Sequence, residues 1–256
     1  LFVLLSLCKE SDIPHMVVGR GSNLLVRDGG IRGVVISLNR ACERLERKGS
    51  GVLAGAGVSL IALVKFALRD GLQGLEFCVG IPGSVGGALA GNAGAWGSSV
   101  TDYLKSALVY DLSAQTKRTV RKENIDYGYR RTNITSFGII LEAEFHLEPG
   151  NPAEITARME RYIAQRTSAQ PLRARSAGSV FKNPPGLYAG AVVEQLGYKG
   201  RKRGGAAVSD LHANFIVNAA DASAADVLSL IAEIKVRARE TMNVELEEEI
   251  QVIGEG

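Results

Sequence analysis

Cysteine, histidine, tryptophan and proline are all scarce: three, three, one and seven of them stand among 256 residues. Cys8, Cys42 and Cys78 are odd in number and show neither CxxC nor Cys/His ligand spacing. That suggests neither a disulfide framework nor a zinc site and points to a reducing compartment, the cytoplasm. No long hydrophobic run occurs. The opening LFVLLSL gives way at once to Cys8, Lys9 and Glu10, too short for a membrane span and without a basic leader or cleavage site. It reads as the end of a buried helix, and because residue 1 is Leu, a further N-terminal segment is expected ahead of it. An excess of one charge is missing too. Thirty Lys and Arg against 27 Asp and Glu give a net +3, short of the basic surplus of a nucleic-acid binder, though it suits an anionic small molecule.

What is present is ample apolar material, 46% of the residues, enough for one large or two smaller cores. From Met16 to Leu38 short apolar runs alternate with Gly/Ser/Asn turns, the pattern of strand, loop, strand, turn, strand. GVLAGAG (51–57) reads as a strand. A helix follows from an N-capping Ser59 to Asp70, with Leu60, Leu63, Val64, Ala67 and Leu68 at helical spacing. Strands are expected again at Ala107–Asp111 and Ile139–Leu147. The breaker cluster Pro149 to Pro152 marks a domain boundary, giving residues 1–150 and 151–256. Glu154 to Arg166 then reads as an amphipathic helix with Ile155, Met159, Tyr162 and Ile163 on one face. Further on come a helix near Ala189–Leu196, the strand NFIVN, a helix from Asp221 or Ser223 to Glu240, and an alternating terminal strand, VELEEEIQVIG. Mixed strands and helices in two blocks give an α+β class.

Two glycine-rich segments carry the chemistry. GRGSN (Gly19, Arg20, Gly21, Ser22, Asn23) lies between two strands and suits a nest of backbone N–H groups for a pyrophosphate, although taken alone it reads more simply as a plain turn. It is neither a dinucleotide fingerprint nor a P-loop. Gly80 to Gly97 holds seven glycines, too many for an ordinary helix or strand, since each costs about 0.5–1 kcal/mol relative to Ala there. A long glycine loop tends to be functional. Pro82 would stiffen it, and Ser84 and Asn92 could hydrogen-bond a cofactor. The competing explanation is tight packing through Gly87 and Gly91.

Taken with their surroundings, GRGSNLLVRDGG and GLEFCVGIPGSVGGALAGNAGAWG resemble the flavin-binding domain of the UDP-N-acetylenolpyruvoylglucosamine reductases, a fold shared with the vanillyl-alcohol-oxidase type of FAD enzymes (PCMH-type). YGYRRT (127–132), SAGSVFKNPPG (176–186), GGAAVSDLHANFIVN (204–218) and LEEEIQVIG (246–254) follow in the family's order, so the resemblance covers nearly the whole chain. It implies an NADPH-dependent flavoenzyme of peptidoglycan precursor synthesis, a cytoplasmic monomer with a UDP-sugar as substrate and no metal, nucleic acid or membrane partner. The first domain would hold FAD and the second, smaller α+β domain the UDP-sugar.

By the same resemblance, FAD contacts fall on Gly19 to Asn23, on Gly55, Ala56 and Gly57, and on Gly80, Ile81, Pro82, Gly83 and Ser84. They continue through Gly86 and Gly87 to Asn92, Ala93 and Gly94. Arg130 would stabilise charge on the substrate carboxylate, Ser179 would protonate C2, and Glu249 would stand beside it protonated or sharing a proton. Tyr129, Lys182 and Asn183 would touch substrate. Without the family, Arg130 beside Arg131 could be a solvated pair, Ser179 a turn cap, and Glu247 shares the alternation of Glu249. The chain departs from the family at Ser168-Ala169, where Lys is frequent, at Trp96 for Tyr, and at Arg175 for Pro. Lacking an insertion of about fifty residues before the AGSVF block, it resembles the short form without a tyrosine-bearing lid. Two other classes stay open: another FAD oxidoreductase of the same fold, and a non-catalytic nucleotide-binding protein.

Overall fold

Helices and strands alternate along the whole chain, whose residues 1–256 are all described by the computed structural model. In chain order they are α1 (Phe2–Glu10), β1 (His15–Val18), β2 (Leu24–Val26), β3 (Val34–Ser37), β4 (Leu45–Lys48), β5 (Gly51–Gly55), α2 (Leu60–Arg69), α3 (Val85–Ala90), β6 (Leu104–Asp111), β7 (Thr116–Arg121), β8 (Ile139–His146), α4 (Pro152–Ala169), β9 (Ser176–Ser179), α5 (Ala189–Gln195), β10 (Lys202–Arg203), β11 (Ala206–Val208), β12 (Phe215–Asn218), α6 (Ala224–Met242) and β13 (Gln251–Ile253). Two-residue ladders and 3-10 turns lie between them. The class is α+β. No helix is long and apolar enough to cross a membrane.

The chain divides into two units, Leu1–Arg20 with Val35–Gln165, and Gly21–Val34 with Arg166–Gly256. The first is built on an antiparallel sheet in the order β7-β6-β8-β5-β4. Ala143 of β8 stands opposite Ala54 of β5 on one side and Ala107 of β6 on the other, a fully buried row of small side chains. The outer strands, LERK and TKRTVR, are charged, as suits edges that meet water. Helix α2 buries Leu60, Leu63, Val64 and Ala67, and each of the larger three contributes roughly 2 kcal/mol by leaving water. Its N-cap is Ser59, whose Oγ accepts from the Ala62 N–H at 3.2 Å. Helix α4 is fastened to this unit by Arg158, which donates to the buried Glu76 carboxylate at 2.8 Å and to Gln73 at 3.0 Å.

The second unit holds the sheet β9-β12-β11-β10 and the helices α5 and α6 around Val180, Phe181, Val193, Tyr198, Leu230 and Ile234. A Ser223–Asp226 capping box starts α6, and Asn243 in the left-handed region ends it. Asp28 supports the same helix start, accepting from the Ala224 and Ala225 N–H groups. Strand β2 joins this unit through parallel pairing with β13, Leu24 to Gln251, Leu25 to Val252 and Val26 to Ile253.

Four expectations need correction. The opening helix buries only Leu5 and Cys8 and leaves Phe2, Val3, Leu4 and Leu7 exposed, because one stripe of α1 meets the body of its unit. Ile163 on α4 is exposed for the same reason. The Gly80–Gly97 segment is not wholly irregular: Ser84 caps a six-residue helix, α3, whose Val85, Ala88 and Leu89 are buried. The terminal segment pairs in a ladder only at Gln251–Ile253, since β2 offers three partners, while residues before it bond irregularly to Val180 and Lys182, beyond the end of β9.

Candidate functional site

In the first unit the glycine segment is laced to the turn between β5 and α2. The Val85 N–H donates to Val58 O and the Gly86 N–H to Ala56 O, both at 2.9 Å, and Leu60 N–H donates to Gly83 O at 3.1 Å. Ile81 and the exposed Pro82 form the approach to this lacing, and Gly80 and Gly83 take φ of +76° and +152°, conformations that favour glycine. Several glycines are required by the protein's own backbone. A Cβ on Gly55 would stand 2.2 Å from Cys42 O, on Gly57 2.1 Å from Leu38 O, on Gly94 2.4 Å from Ser98 O, and on Gly86 2.9 Å from Ala56 Cβ. Gly19, after β1, is needed beside the start of α3, where a Cβ would lie 2.6 Å from Ser84 Oγ.

Gly87 is different. It is exposed, and an added Cβ would meet nothing nearer than Ser84 Oγ at 3.5 Å. This bare stretch of main chain can be approached from outside, so the segment fits a cofactor with an extended, anionic body such as FAD. Ser84, 1% exposed, accepts from the Gly87 N–H and keeps its own hydrogen to donate. Arg20 is exposed beside Gly19, and Ala93 N–H closes the end of α3 on Ala88 O.

Asn92 is buried, with φ +45°. Its Nδ2 donates to Gly128 O at 2.7 Å and its Oδ1 accepts from the Thr101 N–H at 3.3 Å, so its amide tethers the YGYR hairpin to the glycine segment. In that hairpin Tyr127 pairs with Thr132 and Gly128 with Arg131, leaving Tyr129 and Arg130 as the two turn residues. Arg130 has φ +51°, an uncommon state for a side-chain-bearing residue, and its guanidinium lies 5.1 Å from the exposed Tyr129 ring. Arg131 is committed to Asp126 and holds that carboxyl below its usual range. The adjacent arginines thus occupy different places, Arg130 in the turn and Arg131 in the ladder. Trp96, also at positive φ, stacks on Tyr162 of α4 at 4.1 Å, a contact the sequence did not announce.

In the second unit the remaining candidates lie on neighbouring segments around the strand that ends at Ser179. Gly21 has φ +71° and open space where a Cβ would be. A Cβ on Gly178, φ +84°, would meet Ser22 O at 3.7 Å, which sets the GRGSN turn beside the residue preceding Ser179. Asn23 Nδ2 donates to Glu249 O at 2.9 Å, and the Gln251 N–H donates to Asn23 O. Glu249 N–H in turn donates to Val180 O at 2.7 Å. Ser179 and Glu249 thus belong to neighbouring, hydrogen-bonded segments, both half-buried.

The neighbours of Glu249, Glu247 and Glu248, both form ion pairs. Glu247 is exposed and paired with Lys182, and Glu248 is paired with Lys235 at 2.8 Å. Burial works to raise the Glu248 carboxyl, but Lys235 and a backbone N–H outweigh it and the net direction is down. Asn183 Oδ1 accepts from the Ala189 N–H at the start of α5. Sequence reasoning passed over Asn214, 4% exposed, whose side chain bonds both backbone groups of Phe181. Only its place in the HANFIVN block signalled it. His212 is structural: its Nδ1 accepts from the Asn214 N–H, and burial, aided by Lys199, lowers its pKa.

Known proteins match this chain along most of its length. The family described as "FAD binding domain" matches residues 3–119, and that described as "UDP-N-acetylenolpyruvoylglucosamine reductase, C-terminal domain" matches residues 170–253. A UDP-N-acetylenolpyruvoylglucosamine reductase from Geobacillus kaustophilus is 44% identical over 98% of this chain and 83% of its own. One from Heliobacterium modesticaldum is 46% identical over 98% of this chain and 81% of its own. Among solved structures, the reductase of the same name from Thermus caldophilus superposes with a TM-score of 0.83 at 36% identity, covering 96% of this chain and 88% of that one.

Proposed function

The chain belongs to the UDP-N-acetylenolpyruvoylglucosamine reductase family, and from that membership we propose that it reduces the enolpyruvyl ether of UDP-N-acetylglucosamine to the lactyl ether, with NADPH as reductant, in peptidoglycan precursor synthesis. The protein is an FAD-dependent oxidoreductase of this family. FAD is assigned to residues 1–150 and the UDP-sugar to residues 151–256. When bound, the cofactor would supply the two-electron hydride chemistry that links NADPH to the enolpyruvyl group.

The protein's own groups handle charge and proton. Hydride addition at C3 puts negative charge on C2 and its conjugated carboxylate, and Arg130 is the cation that stabilises it. Such a charge is most effective where it is already oriented, and the Arg130 turn, tied down through Gly128 and Asn92, is oriented before substrate arrives. Ser179 Oγ gives its proton to C2. A hydroxyl is a weak acid, so this step relies on the basicity of the enolate and on support from neighbours. Glu249 serves with its carboxyl protonated or sharing a proton, because an ionised carboxylate beside the growing charge would oppose the reaction. Tyr129, Lys182 and Asn183 contact the substrate, Lys182 exchanging Glu247 for a phosphate oxygen. Backbone at Gly19 to Asn23 and along Gly80 to Gly94 holds the cofactor.

The observation that carries this reading is the direct hydrogen bonding of the Ser179 and Glu249 segments, two polar residues whose chain positions are far apart. The test is an anaerobic two-step titration of the yellow, FAD-loaded protein. NADPH should bleach it, and UDP-N-acetylenolpyruvoylglucosamine should then restore the colour without oxygen. Failure of the sugar nucleotide to restore it, with oxygen still doing so, would indicate an oxidase acting on another substrate. A protein that neither holds FAD nor is bleached would be a nucleotide binder without redox chemistry.

A further inference from the structure

Resting on the reading above, we propose that Asn214 is the positioning residue of the proton-delivery step, holding the Ser179 hydroxyl and Glu249 in fixed register through the backbone of Val180 and Phe181. The β9–β12 ladder ends where Ser179 faces Phe215. Beyond that point the partner strand turns away, and a side-chain amide continues the pairing in its place. Val180 N–H donates to Asn214 O at 2.8 Å, Phe181 N–H to Asn214 Oδ1 at 2.9 Å, and Asn214 Nδ2 to Phe181 O at 2.8 Å. On the opposite edge Glu249 N–H donates to Val180 O at 2.7 Å and Lys182 N–H to Glu247 O at 2.8 Å.

Val180 is therefore bonded on both sides, by Asn214 on one edge and by Glu249 on the other, and both backbone groups of the next residue, Phe181, are held by the Asn214 side chain. A buried amide is costly unless its hydrogen bonds are made, and here they are spent on Phe181, next to the Val180 carbonyl that receives the Glu249 N–H. Packing alone would be met by an apolar residue. Only a planar group with one donor and one acceptor side by side can imitate a strand at this position.

Displacing a reacting group by about 1 Å can cost roughly a hundredfold in rate. The test is stopped-flow on the FAD-loaded Asn214→Asp variant, which retains the acceptor for Phe181 N–H and loses the donor to Phe181 O. Anaerobic flavin reduction by NADPH should stay within about twofold of the unaltered protein. Reoxidation by saturating UDP-N-acetylenolpyruvoylglucosamine should slow at least about tenfold, with half-saturation little changed. Combined with Ser179→Ala, Asn214→Asp should add no further slowing, since a residue that acts through Ser179 has nothing left to position.

Equal slowing of both half-reactions, unaltered reoxidation, or full additivity with Ser179→Ala would each overturn the inference. Should the aspartate variant fail to fold with FAD, Asn214→Ser is read by the same three criteria. The underlying reading fails separately: unaltered protein bleached by NADPH but not recoloured by the sugar nucleotide would refute the function, whatever Asn214 does.

Discussion

At the scale of single residues, glycine divides into two kinds that the sequence cannot tell apart. Gly57 has no room for a methyl group, which would sit 2.1 Å from Leu38 O, whereas Gly87 has room and an exposed surface. Gly57→Ala should therefore destabilise the protein by about 2 kcal/mol or more through forced backbone shifts. Gly87→Ala should leave the denaturation midpoint nearly unchanged and weaken FAD retention, as read by flavin fluorescence on dilution. Loss of stability in Gly87→Ala with normal flavin binding would remove that glycine from the cofactor site. The catalytic assignments predict a different split. Ser179→Ala and Arg130→Ala should each spare reduction by NADPH and slow reoxidation by the UDP-sugar, by about 10²-fold for the acid. A uniform loss across both half-reactions would make either residue structural.

At the scale of elements, local signals predict well where a segment satisfies itself. Helix α2 was legible because Ser59 and the Leu60, Leu63, Val64, Ala67 stripe lie within a few turns of each other. The same holds for α6, whose Ser223 and Asp226 cap each other. Ser223→Ala should cost about 1 kcal/mol, measured as a lower urea midpoint at constant slope. Edge strands β4 and β7 were illegible because charged residues dominate them and only Val120 is buried. The terminal segment misled in the other direction. Its alternation suggests a strand from Val244 onward, yet what decides its pairing is the short β2 and the backbone around Val180, neither visible nearby. The candidate site shares this limit: the glycine segments declare themselves by composition, while the bonds of Asn92 to Gly128 and of Asn23 to Glu249 span 36 and 226 residues.

On the scale of the whole molecule, protonation and cofactor binding set stability. His212 is half-buried with its pKa below the ordinary 6.5. A base with a depressed folded pKa contributes stability that is complete above the unfolded value and is lost as pH falls from 6.5 toward the folded value. Asp226 and Glu144 have lowered pKa values too, the first through the Ser223 and Gly205 N–H groups and the second through Lys105 and Lys48. Their stabilisation is complete above the unfolded values of 3.8 and 4.5 and is lost as pH falls through the lower folded values. Denaturation midpoints should thus decline in two stages on acidification, and His212→Asn should flatten the first. An unaltered first stage in that variant would assign it elsewhere. Stripping FAD should lower stability by about 2.7 kcal/mol relative to protein holding the cofactor at a hundred times its dissociation constant.

The parallel pairing of β2 with β13 also orders events during synthesis. Leu24–Val26 leave the ribosome early, but their partner strand, Gln251–Ile253, is translated more than two hundred residues later. Until then the nascent GRGSN turn has no Glu249 carbonyl to receive Asn23, and long-range closures of this kind are slow. The second unit is accordingly completed last, after the chain that forms most of the first has already emerged.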